Sequence, residues 1–202
     1  MIAIIDYDAG NIKSVEKALL SLGEEAVITR DRDTILKAQK VILPGVGAFG
    51  DAMEKIRSYG LEEVIHEVVD KGIPFLGICL GLQLLFDTSE ESVGVKGLGI
   101  LKGKIVKIPD DQGLKVPQIG WNSLKFPNKG RLFKGIDEDS YVYFVHSYYL
   151  QAEDPGIVVA TTDYATKIDA SVEKGNVFAC QFHPEKSSEV GLKILKNFIE
   201  IN

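Results

Sequence analysis

Over its first 86 residues the chain alternates short apolar runs with stretches of helical period. The runs at 2–6, Ala26–Thr29, 41–43 and 73–78 are rich in Ile, Val and Leu and carry no polar alternation. Strands buried on both faces have that composition, whereas a half-exposed strand alternates. Between the runs, residues 11–22 place Ile12, Val15, Leu19 and Leu22 on one stripe, with Gly23 suited to a helix C-cap. Helical patterns also cover 34–38, 51–59, 61–71 and 80–86. Strand–helix alternation of this kind predicts a parallel sheet covered on both faces.

The second half is different in character. Strand-like segments occupy 104–108, 122–126, 141–145 and 157–162, and a pair at 169–173 and 177–182 flanks the hairpin turn signal Lys174-Gly175-Asn176. An amphipathic helix is predicted over 188–201. The expected architecture is α/β: a mostly parallel central sheet with helices on both faces plus an antiparallel β part, in one domain spanning 1–202.

A chain of 202 residues with 45% hydrophobic content buries roughly 70% of its unfolded surface, so its core needs no disulfide or metal staple. Two cysteines, Cys79 and Cys180, are too few for a disulfide framework or a cysteine zinc site. The net charge of −6 argues against binding nucleic acid or an anionic membrane. The longest uncharged stretch, 72–86, has 15 residues, short of the roughly 20 that a membrane span requires. The N-terminus lacks a basic n-region and carries Asp6, so it reads as a strand and not a signal peptide. A cytoplasmic protein with reduced thiols is expected.

Gly77-Ile78-Cys79-Leu80-Gly81 lies where an apolar strand run meets a helical pattern. This is the nucleophile-elbow pattern with cysteine in place of serine: glycines permit the sharp turn that lifts the thiol out of the sheet, and a helix N-terminus favours the thiolate. The pentapeptide by itself equally suits a buried structural cysteine between packing glycines. Gln181-Phe182-His183-Pro184-Glu185 supplies what a cysteine nucleophile needs, a base and an orienting carboxylate. In an extended segment, His183 and Glu185 fall on the same side, and Pro184 biases His183 toward that conformation. His146 is a rival base without a carboxylate near it in sequence, and His66 sits among Glu62, Glu63, Glu67 and Asp70. The candidate triad is Cys79–His183–Glu185, with no metal.

Two other motifs are weaker. Gly45, Gly47 and Gly50 match G-x-G-x-x-G, but after the third strand, and Asp70 lies in a helical pattern where a ribose-binding acid belongs at a strand end. Such a loop can instead present backbone N–H groups to an oxyanion. His183-x-Glu185 matches half of the zinc deaminase signature, and the required P-C-x-x-C is absent.

These segments, together with Asp6-Tyr7-Asp8-Ala9-Gly10-Asn11, Gly120-Trp121-Asn122, Phe144-Val145-His146-Ser147-Tyr148 and Glu185-Lys186-Ser187-Ser188, resemble the class I (triad) glutamine amidotransferases over nearly the whole chain. More narrowly they are similar to the glutaminase subunits of imidazole glycerol phosphate synthases. The resemblance implies that Cys79 forms a γ-glutamyl thioester from glutamine, that His183 moves the protons, and that no cofactor takes part. It assigns one oxyanion donor to the Leu80 N–H and makes Gly47 and Val46 candidates for a second after a peptide rearrangement. It gives Gln83, Ser147 and Tyr148 the substrate's α-amino and carboxylate groups; on spacing alone Gln83 is a polar residue one helical turn past Cys79. It implies a heterodimer with a separate (β/α)8-barrel cyclase subunit, which receives ammonia along a sequestered path for histidine biosynthesis. Asn11, Trp121, Tyr143 and Lys186 match interface-facing positions, and would otherwise read as a helix cap, a core indole, a strand aromatic and a solvated lysine. Competing readings are a glutaminase subunit serving pyridoxal phosphate synthase or anthranilate synthase, a free-standing hydrolase of γ-glutamyl compounds, and a non-catalytic regulatory subunit on the same fold.

Overall fold

Four short, predominantly apolar strands organise the first half. In a computed structural model, which describes residues 1–111 and 113–201, they are β1 (Ile2–Ile5), β2 (Ala26–Thr29), β3 (Lys40–Leu43) and β4 (Phe75–Ile78). Between and after them run α1 (Ile12–Ser21), α2 (Arg32–Lys37), α3 (Phe49–Ser58), α4 (Leu61–Asp70) and α5 (Leu80–Leu84). The second half contributes β5 (Thr88–Ser89), β6 (Gly103–Lys107), β7 (Gln118–Ser123), β8 (Tyr141–His146), β9 (Tyr148–Ala152), β10 (Val158–Tyr164), β11 (Thr166–Lys174) and β12 (Val177–Cys180), then α6 (Ser188–Glu200).

Among the described residues one sheet of ten strands runs β2-β1-β3-β4-β12-β11-β9-β6-β5, with β10 paired to β11. The first five in that order are mutually parallel. From β12 outward the ladders are antiparallel, except for the short β5–β6 pair. A separate two-stranded ribbon, β7–β8, is antiparallel.

Successive residues of the central strands enter opposite cores, as the period-2 geometry of a strand requires. Ala3, Ile5, Val41, Leu43, Phe75 and Val177 pack with the apolar faces of α2, α3 and α4. Ile2, Ile4, Ile42, Leu76, Ile78 and Phe178 pack with α1 and α6 through Val15, Leu19, Ile194, Leu195 and Phe198. Helices thus cover both faces, as the uninterrupted apolar runs predict. Within the described residues no helix is long and apolar enough to cross a membrane.

Several elements depart from the sequence reading; α2 begins at Arg32 and β5 is an added short strand. The strand expected at 122–126 lies at Gln118–Ser123, the strand 148–152 has no counterpart in it, and α3 begins two residues early, at Phe49. The last shift has a visible cause. The Phe49 N–H donates to Glu91 Oε2 at 2.8 Å and the Gly50 N–H to Ser92 Oγ at 2.9 Å, so residues remote in sequence cap the helix.

Candidate functional site

The C-terminal ends of β1, β3, β4 and β12 face one place, where open α/β sheets bind ligands. Each end delivers a segment singled out by the sequence: residues 7–11 after β1, the glycine loop 44–47 after β3, Cys79 after β4 and residues 181–185 after β12.

Cys79 occupies φ 54°, ψ −109°, a region that a residue with a side chain enters at a cost of about 1–3 kcal/mol. Its surroundings impose that turn. A Cβ on Gly81 would lie 1.9 Å from the Leu43 carbonyl oxygen, and one on Gly77 2.6 Å from that of Gly81. Only glycine lets strand and helix approach so closely. The Cys79 N–H donates to the Cys180 carbonyl at 2.8 Å, tying the elbow to β12.

Beside the elbow, His183 is extended (φ −100°, ψ 98°), as expected of the residue before Pro184. Pro184–Lys186 form a 3₁₀ turn, however, so Glu185 reaches His183 through that turn and not along an extended segment. His183 Nδ1 lies 2.7 Å from Glu185 Oε1, and both side chains are buried. Since a carboxylate only accepts, Nδ1 carries the hydrogen. Among the described residues, Nε2 and Glu185 Oε2 are buried without a hydrogen-bond partner. Burial pulls the His183 value down, but the Cys79 sulfur and the Glu185 carboxylate outweigh it and raise it to about 10. The imidazolium is the form of His183 that this environment favours.

The backbone of His183 is also held: its N–H donates to the Tyr143 carbonyl at 3.0 Å, and its carbonyl accepts from Ser187 Oγ at 2.6 Å. Asn11, at the N-cap of α1 with φ 67°, does not cap the helix. Its Nδ2 donates to Glu185 Oε1 instead. A residue type favoured as a cap that spends its side chain elsewhere marks a functional position.

A cavity of about 290 Å³ opens over Cys79, lined by Val46, Gly47, Leu80, Gln83, Ser147 and Tyr148 among others. The expected oxyanion and substrate residues are therefore gathered at the nucleophile. Gln83 Nε2 donates to the Tyr148 carbonyl and to Gln181 Oε1, both at 3.0 Å, and Gln181 Nε2 lies 3.7 Å from Cys79 Sγ. The Leu80 N–H donates to the Gly45 carbonyl at 3.3 Å.

His146 is not a second base. Its Nδ1 donates to the Tyr148 carbonyl at 2.8 Å and its Nε2 lies 2.8 Å from the Gln118 carboxamide. Burial lowers it to about 4, so it is neutral and fully engaged. His66 is half-buried on α4, away from these strand ends. Cys180 is fully buried, and burial pushes its thiol well up.

The G-x-G-x-x-G glycines are accounted for without a dinucleotide. A pyrophosphate needs the open N-terminus of the following helix; here Glu91 and Ser92 occupy the first N–H groups of α3. Among the described residues no group of three or more His, Cys, Asp and Glu is placed to hold a metal ion.

Trp121 and Tyr143 face each other across the β7–β8 ribbon, ring centroids 6.0 Å apart, and Lys186 is exposed one residue beyond Glu185. Trp121 is 50% exposed and so is no core indole. With Ile119 (63%) and Tyr141 (57%) it makes one apolar face of the ribbon, because cross-strand partners point to the same side.

Sequence reasoning missed two contributors. Tyr7, whose buried hydroxyl donates to the Pro44 carbonyl at 2.7 Å, is pushed well up by burial and by the charge of Cys79. Gln181 was legible only as a neighbour of His183; a glutamine in an otherwise buried strand end was its signal.

Comparisons with known proteins agree with this geometry. The family model described as glutamine amidotransferase class-I matches residues 3–201. The chain is 52% identical over 200 residues to imidazole glycerol phosphate synthase subunit HisH of Moorella thermoacetica, covering 99% of this chain and 94% of that protein. It is 49% identical over 201 residues to the HisH of Methanocaldococcus jannaschii, covering 100% of both. Among solved structures, one described as a glutamine amidotransferase superposes with a TM-score of 0.77 at 20% identity, covering 99% of this chain and 98% of that one. PurLQS from Thermotoga maritima gives 0.73 at 22%, with 98% and 96% covered. At such identities these two speak for the fold. The chain belongs to the class I glutamine amidotransferases and, within them, to the family of imidazole glycerol phosphate synthase HisH subunits.

Proposed function

We propose that Cys79, His183 and Glu185 hydrolyse glutamine here, and that the ammonia passes to a separate (β/α)8-barrel cyclase subunit in the cytoplasm, serving histidine biosynthesis. The observation that carries this reading is the buried His183–Glu185 pair beside an elbow cysteine that lines a small cavity.

The Cys79 thiolate attacks the side-chain amide carbon of glutamine; the C–S bond forms and the electron pair moves onto the amide oxygen. Collapse of this adduct breaks the C–N bond while His183 Nε2 gives its proton to the leaving nitrogen, releasing ammonia. The neutral imidazole then takes a proton from water, whose oxygen attacks the thioester. The C–S bond breaks, glutamate leaves and the thiolate–imidazolium pair is restored. Glu185 holds the ring with Nδ1 protonated throughout, the orienting role a triad carboxylate plays. No cofactor enters this scheme.

Ser147, Tyr148 and Gln83 hold the substrate's α-amino and carboxylate groups. The Leu80 N–H is one oxyanion donor, which requires release of the Gly45 carbonyl. Rotation of the Val46–Gly47 peptide supplies the other; Gly47 is exposed at φ 103°, with open space where a Cβ would be. The apolar ribbon face around Trp121 and Tyr143, with Asn11 and Lys186 near the triad, is the docking surface for the cyclase.

Glutamate release by the purified chain, alone and with a barrel cyclase subunit and its nucleotide ligand, tests this. Slow release alone with a rise of about 10²–10³ in the complex is expected, the range an oxyanion donor supplies. Full activity alone would identify a free-standing hydrolase, and none in either state would overturn the reading.

A further inference from the structure

We propose that Gln181 is a positioning residue that links the nucleophile to the amino-acid subsite through a carboxamide chain of one defined polarity. This rests on the reading of Cys79 and Gln83 above.

The polarity follows from one backbone group. Gln83 and Gln181 could each be turned end for end, since an amide's oxygen and nitrogen are nearly the same shape. Tyr148 removes the choice, because its carbonyl oxygen only accepts. The end of Gln83 lying 3.0 Å from it is therefore the nitrogen. That nitrogen also lies 3.0 Å from Gln181, so the facing end of Gln181 is its oxygen. The other end, 3.7 Å from Cys79 Sγ, is then the N–H₂ group, a donor aimed at sulfur.

Two consequences follow. Cys79 gains a buried donor in Gln181, and a donor favours the thiolate over the thiol. Gln83 has both amide hydrogens engaged, so its oxygen is the end left for the cavity it lines, an acceptor suited to the substrate's α-ammonium group. Gln181 is fully buried, and no other described side chain amide bridges these two residues.

Two variants separate the functions of its two ends. Gln181→Leu removes both contacts. Gln181→Glu retains an oxygen that accepts from Gln83 but replaces the donor at sulfur with negative charge. The readouts are the pH dependence of Cys79 alkylation by iodoacetamide, mapped by peptide mass, and KM for glutamine in the complex with the cyclase. For Gln181→Leu the alkylation midpoint should move up by about one pH unit and KM should rise about tenfold, the loss of one hydrogen bond at each end. For Gln181→Glu the midpoint should move up at least as far while KM stays within about threefold of the parent. The Glu variant is nearly isosteric and serves if Leu does not fold. An unchanged alkylation profile in a folded Gln181→Glu protein would overturn the proposal. Shifted profiles in a chain that never releases glutamate would uphold the carboxamide chain and sink the glutaminase reading instead.

Discussion

Leu80 donates its backbone N–H to the carbonyl of Gly45 at 3.3 Å, so the residue after the nucleophile is bonded to the glycine loop beside it. The loop is pressed there by Tyr7: a Cβ on Gly45 would lie 2.2 Å from the Tyr7 hydroxyl and 3.0 Å from Leu80 Cβ. Gly45→Ala should therefore destabilise the protein by about 1–3 kcal/mol, the usual scale of overpacking. Adding Tyr7→Phe removes the clashing oxygen and should recover about 1 kcal/mol of that loss in a double-mutant cycle followed by denaturant unfolding. Strict additivity would contradict the packing described.

Asn11 shares Glu185 Oε1 with His183. Asn11→Ala leaves the carboxylate with a single donor and should lower kcat about tenfold with KM nearly unchanged, since an orienting group is lost and no substrate contact. Steady-state kinetics in the cyclase complex checks this; a KM effect with kcat intact would place Asn11 in substrate binding.

His146 and His183 make opposite contributions to the pH dependence of stability. The folded value of His146 is depressed to about 4 by burial, so below pH 6.5 the unfolded chain takes up a proton that the folded protein refuses. Stability falls as pH drops from about 6.5 to 4, by on the order of 3 kcal/mol from this residue. The folded value of His183 is raised to about 10, so its contribution is complete below pH 6.5 and is lost as pH rises toward 10. An NMR titration should show the His146 ring neutral down to about pH 4; a midpoint at 6 or above would contradict its engagement by Gln118 and Tyr148.

Trp121 stands half-exposed against Tyr143, whose carbonyl holds the His183 N–H. Trp121→Ala should weaken binding of the cyclase subunit by about 10–100-fold, the range for a buried aromatic anchor at an interface, without lowering the melting temperature. Isothermal titration calorimetry reads the first and a thermal melt the second. Unchanged affinity would move the docking surface elsewhere.

The parallel half was legible because Ile2–Ile5, Lys40–Leu43 and Phe75–Ile78 are buried on both faces, which leaves one pattern to find. The candidate triad was legible because its spacing is local: His183 and Glu185 are two apart, and the Cys79 elbow is flanked by its own glycines. The ribbon was not. In β7 the polar Gln118 points inward to His146 and the apolar Ile119 and Trp121 point out, the reverse of the alternation that sequence patterns rely on. Strand β9 was missed because residues 141–152 carry no glycine or proline turn signal, and only Ser147 separates the ribbon from the main sheet. Nothing local shows that Asn11 meets Glu185, since they are 174 positions apart.

The central claim is that Cys79 carries glutamine hydrolysis while the cyclase uses the ammonia. Its most direct test compares synthesis from glutamine with synthesis from added ammonium, in complexes holding the parent chain or Cys79→Ala. The account predicts that Cys79→Ala abolishes the glutamine-dependent reaction and leaves the ammonium-dependent one at the parent rate. Glutamine-dependent synthesis surviving in Cys79→Ala would contradict it.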